Sequence, residues 1–183
     1  MKQKIKTIAI LLFSTALIAC SSNSNENKNS QRNAVQTSSN DSTIVIAEIN
    51  NDVASFVADS STLRNDWQNF INNQTDLGPC ELNQIEIFSD STEGMKYYLV
   101  VSGTANQESI KSTLELEQEG STCLIISGFT VTCTTSACSS EQLGCVPKLL
   151  ACTPCGNSGK CTKTVSDSPT AIFPSVGTSS CQN

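Results

Sequence analysis

The stretch CVPKLLACTPCGNSGKC, residues 145–161, puts four cysteines within seventeen residues. Thiols at that density support three chemistries: a metal held by thiolates, thiol–disulfide exchange, or disulfide staples in a loop-rich fold. CTTSAC at 133–138 and CTPC at 152–155 are cysteine pairs separated by thirteen residues, close to the spacing that holds zinc or, with soft thiolates, copper. That use leaves Cys145 and Cys161 idle beside the site. An exchange dithiol at CTPC wants a helix start, where backbone N–H groups lower the thiol pKa, and the GNSGK that follows breaks a helix instead. Staples fit best. Between residues 133 and 183 large apolar side chains are sparse, and a segment so short and polar needs cross-links to hold a shape.

Other catalytic groups are scarce. The chain has no histidine, which removes the commonest general base and every triad built on imidazole. Glu115, Glu117 and Glu119 alternate along one run and would share a strand face, the arrangement of a cation site or a carboxylate pair. Leu114 and Leu116 alternate with them, so a solvated outer face is the expected reading. SDSTEG at 89–94 reads as a polar turn, lacking the acidic ladder and closing Glu of a calcium loop. No residue is assigned as catalytic or as a metal ligand, and no cofactor is expected.

The elements that position these residues follow from periodicity. In DSSTLRNDWQNFINNQ, residues 59–74, Leu63, Trp67, Phe70 and Ile71 fall on one helical face, with N-cap oxygens available at Ser60, Ser61 and Thr62. DLGP at 76–79 stops the helix. From residue 80 the period becomes two: LNQIEIF, KYYLVVSG, IKSTLELEQ and CLIISGFTVTC read as strands joined by polar turns, with Gly128 marking a bulge in the last. The expected fold class is therefore α+β: one helix packed on an antiparallel meander of about four strands, followed by a small disulfide-rich C-terminal module. STIVIAEI at 42–49 is β-branched but too short for periodicity to assign.

The N-terminus carries an address. Lys2, Lys4 and Lys6 precede an apolar run at 8–19 interrupted only by Ser14 and Thr15, the layout of a secretory signal peptide. Leu17, Ile18, Ala19 and Cys20 then resemble the lipobox of bacterial lipoproteins. That resemblance implies cleavage before Cys20, a diacylglycerol on its thiol and, with Ser21 in place of an inner-membrane retention aspartate, the outer membrane, on its periplasmic face or at the cell surface. Residues 20–40, rich in Ser, Asn and Gln, read as a disordered tether. The expected division is a signal peptide at 1–19, the lipidated cysteine and tether at 20–40, an acidic domain at 41–132 and a stapled module at 133–183.

Without residues 1–19 the chain keeps 8 of its 11 basic side chains and all 17 acidic ones, so 8 − 17 gives −9. No basic cluster exists to displace counterions from a phosphate backbone, and nucleic acid is not expected as a partner. The cysteines from 133 to 161, with LGCVPK, CTPC and GKCTKT, resemble a short module of secreted proteins from Bacteroidetes-type bacteria. The resemblance implies three bridges among Cys133, Cys138, Cys145, Cys152, Cys155 and Cys161. Cys80 precedes one strand and Cys123 opens another, and the two are expected to bridge one another, leaving Cys181 as the odd cysteine. The functional expectation is a non-enzymatic lipoprotein, held to the membrane by its anchor, that binds a protein or glycan or serves envelope structure. Thiolate-bound zinc or copper is the alternative, with thiol–disulfide exchange behind it.

Overall fold

The computed structural model describes residues 43–181; the segments expected to be the signal peptide, the lipidated Cys20 and the tether lie outside them. The strands are β1 Ile44–Asn50, β2 Val53–Phe56, β3 Cys80–Asp90, β4 Lys96–Ala105, β5 Glu108–Glu119, β6 Cys123–Ile126, β7 Thr130–Thr135, β8 Pro147–Lys148, β9 Ala151–Cys152 and β10 Thr162–Ser166. Helix α1 spans Ser60–Gln74 and the short α2 Pro169–Ile172.

The expectation of one helix on a four-strand meander is overturned. Strands make up 45% of the described residues and helix 14%, and eight strands join in one antiparallel sheet that curls until nearly closed. The meander of β3, β4 and β5 exists, but it is only part of the sheet. On its far edge β5 meets two further partners: β7 against Lys111 to Leu114, and β6 against Glu117 to Glu119. β6 carries β1 and β2 outward, and β7 carries β10. The stretch read as one strand, CLIISGFTVTC, is in fact β6 and β7, broken at residues 127–129, where Gly128 takes φ +53°. The expected domain boundary at 132/133 falls inside β7, and β10 returns from the cysteine-rich stretch to pair along it.

Local chemistry explains the connections. β1 turns into β2 through Asn51 and Asp52, and β4 into β5 through Asn106 and Gln107, each pair at positive φ, the type I′ geometry that matches strand twist. α1 is capped one residue before the expected oxygens. The carboxylate of Asp59 accepts hydrogen bonds from the amides and hydroxyls of Ser61 and Thr62, so the neighbouring hydroxyls donate to the cap and do not form it. These bonds hold the Asp59 carboxyl at about 2.

Leu63, Trp67 and Ile71 of α1 are buried against Leu82, Leu99, Val101, Ile110 and Leu114, with Ile44, Ile46 and Leu124 from the other branch of the sheet. Ile172 and Phe173 complete this core, Phe173 meeting Trp67 edge-on at 5.8 Å. The last segment is keyed to α1 by buried Asp66, whose carboxylate accepts from the amide of Ser175 at 2.8 Å and from its hydroxyl at 2.9 Å.

The opposite face of β4 and β5 is covered by residues 138–161. Val146 packs on Tyr98 and Val100, and Thr113 donates its hydroxyl proton to the carbonyl of Cys145 at 2.9 Å. Lys111, 5% exposed, inserts its ammonium among the carbonyls of Glu141, Gln142 and Gly144. Burial pushes its pKa down, and the Glu141 carboxylate opposes part of that shift.

Lys111→Met keeps the volume but leaves those carbonyls without their donor, so a loss of about 2 kcal/mol or more is expected, read as a lower urea midpoint at unchanged slope. The Asp59 cap has a pH signature of definite sign. Its folded pKa lies below the ordinary 3.8, so its contribution is full above that value and is lost as pH falls through about 2. Asp59→Ala should therefore melt below wild type at neutral pH, and the gap should close by about pH 2.

Candidate functional site

The cysteines are paired. Cys133 bonds Cys152, Cys138 bonds Cys155 and Cys145 bonds Cys161, closing loops of 19, 17 and 16 residues that interpenetrate, first cysteine to fourth, second to fifth and third to sixth. The sulfurs of Cys133, Cys152 and Cys161 lie within 4.8 Å of one another, because two of the bridges pack side by side. As bonded, they offer no thiolate, the form that ligates metal or attacks a disulfide. The two sulfurs of CTPC sit in different bridges. With Val131 these cysteines form the module's own buried cluster.

The expected bridge between Cys80 and Cys123 does not form. Cys80 is in the main core under α1, whereas Cys123 lies with Val45 and Ile125 on the outer face of β6. Cys123 bonds Cys181 instead, so the residue expected to be odd is paired. Cys80 is the free thiol among the described residues, 5% exposed, and burial pushes its pKa up.

The other site is a groove of about 500 Å³ where the sheet forks. Its floor is the last part of β5 and the first of β4; residues 126–131 wall one side, and the β8–β9 hairpin overhangs it. The hairpin turn is Leu149 and Leu150, 85% and 65% exposed, with Leu149 at φ +58°. A leucine in that left-handed region costs roughly 1 kcal/mol or more, and glycine or asparagine would relieve it. Lys163 braces the turn by donating to the Leu150 carbonyl at 3.1 Å. Phe129 and Met95, 55% and 58% exposed, stand on the same groove. Four of the large apolar side chains that face solvent are thus gathered at one place, which scattered surface leucines do not do.

The glutamate ladder occupies the floor. Leu114 and Leu116 are buried, as the alternation requires. Glu115 pairs with Lys96 at 2.9 Å and Glu117 accepts from the Ser127 hydroxyl at 2.7 Å, while Glu119 is exposed beyond them. Each of the two inner carboxylates is thus satisfied by a protein donor. At the hairpin Lys148 pairs with Glu93 at 2.6 Å. Sequence reasoning passed over the groove because its apolar members lie in separate segments, although the doublet Leu149–Leu150 in a polar, cysteine-rich stretch was a visible signal.

The chain matches no family model, no curated protein and no solved structure.

The pairing gives a sharp thiol count. Of the nine cysteines after residue 20, one should react with iodoacetamide after denaturation without reductant, and peptide mapping should place the label on Cys80. The native protein should resist labelling, since its thiol is buried and its pKa raised. Two or more labelled positions would contradict the pairing.

Proposed function

We propose that this is a lipid-anchored protein of a bacterial envelope, a non-enzymatic module held at the outer membrane through acylated Cys20 and presenting the forked sheet for binding or envelope structure. The observation that carries the reading is the order of charge, apolar run, small residue and cysteine that ends in Leu17, Ile18, Ala19 and Cys20. The four bridges support it, because such cross-links persist outside the reducing cytoplasm. Two or more acyl chains on one residue make a stable anchor where a single chain is marginal. The binding surface in this reading is the groove at the fork, which combines exposed apolar side chains with paired charges.

The test is expression of the full precursor and of Cys20→Ser in a diderm host. The wild-type protein should partition into detergent, and its intact mass should begin at residue 20 with diacylglycerol and a further acyl chain added. Cys20→Ser should partition into buffer. An unmodified wild-type mass would overturn the reading.

A further inference from the structure

We propose that the hairpin tip Leu149–Leu150, with Phe129 and Met95, is a membrane-docking surface that seats the domain on the lipid bilayer. The inference builds on the lipid-anchored reading and adds an orientation to it.

Three observations carry it. The first is where the chain enters. β1 starts at Ile44, paired with Ile126, and Ile126 and Ser127 line the groove beside Phe129. Thr43, the first described residue, precedes that pair and so lies next to the stretch of chain that lines the groove. The second is charge. The protein carries −9 after its signal segment, yet around the tip Lys96, Lys148 and Lys163 stand against Asp90, Glu93, Glu115 and Glu117, so three positive charges meet four negative ones. An acidic protein can approach headgroups through a face that is locally close to neutral, whereas elsewhere like charge repels an anionic surface. The third is the tip itself. Two leucines project from a two-residue turn that puts Leu149 at positive φ, held out by the Lys163 brace and by the disulfide that fixes Cys152 to β7. A rigid tip of that kind enters the headgroup region without unfolding any backbone hydrogen bond.

The experiment uses residues 21–183 held on vesicles through an N-terminal hexahistidine tag and a nickel-chelating lipid, so attachment does not depend on acylation. The chain has no histidine of its own, which makes the tag the sole imidazole. Leu149→Trp is compared with Val53→Trp, a substitution at another exposed position, beyond the far end of β1, a strand about 20 Å long. Native Trp67 is fully buried and supplies a constant background. On phosphatidylcholine vesicles containing brominated acyl chains, the indole introduced by Leu149→Trp should shift to the blue and lose half or more of its emission. The indole introduced by Val53→Trp should not change. Equal, unquenched emission from both variants while the protein stays bound would overturn the docking proposal and make a protein ligand the occupant of the groove. A blue shift in the Leu149→Trp variant that grows with protein concentration and needs no vesicles would overturn it in favour of a second copy. Neither result bears on acylation of Cys20, which the mass measurement decides separately.

Discussion

A β-strand has two edges, and β5 serves three neighbours with them. One edge is given wholly to β4, while the other is divided between β7 and β6. Sharing an edge is possible only if the chain leaves the ladder between the two partners, and residues 126–131 do this opposite Glu115 and Leu116. The rest of the architecture follows from that detour. It sends β6 toward β1 and β7 toward β10, wraps the sheet around α1, and opens the space that becomes the groove. A continuous β6–β7 strand would give a flatter sheet with no fork and a weaker hold on the helix.

The two faces of this sheet are stabilised by different means. Toward α1 the stabilisation is apolar burial, with Trp67, Leu99, Leu114 and Phe173 excluded from water. Toward residues 138–161 it is polar and covalent. Lys111, Thr113 and Thr135 are buried and donate to carbonyls of the module, and the module's interior is mostly sulfur. A segment with few large apolar side chains thus gains a fixed shape by limiting its unfolded conformations. That fixed shape is what allows a two-residue turn to hold leucines away from the core.

Much of this was legible in the sequence, and the part that was not has physical causes. Alternation located β3, β4 and β5, and the spacing of Leu63, Trp67 and Ile71 located α1, because both patterns express local geometry. The cap was displaced by one residue because a carboxylate beside a Ser-Ser-Thr run outcompetes the hydroxyls as acceptor for the orphan amides. The fork was invisible, since it depends on which distant strands share β5. The cysteine pairing failed at Cys80 for a related reason. Every residue of CLII in β6 is buried, so apolar character cannot reveal which side chains face the helix, and Cys123 faces away from it. The groove, gathered from separate segments, required the fold before it could be seen.

The closing of the core by late residues also governs the order in which the molecule can be made. Ile172 and Phe173 fill the space against Trp67, Ser175 binds Asp66, Ser179 donates to Thr43, and Cys181 bonds Cys123. β1, the first strand synthesised, waits for β6, about eighty residues later, to supply its partner. Until Phe173 has left the ribosome the nascent chain lacks its complete core, and until residue 181 its last clasp, and its non-local pairings make folding slow. The first strand made therefore stays unpaired along its β6 side until most of the chain has been synthesised, and the meander of β3, β4 and β5 forms before the strand that precedes it finds its place.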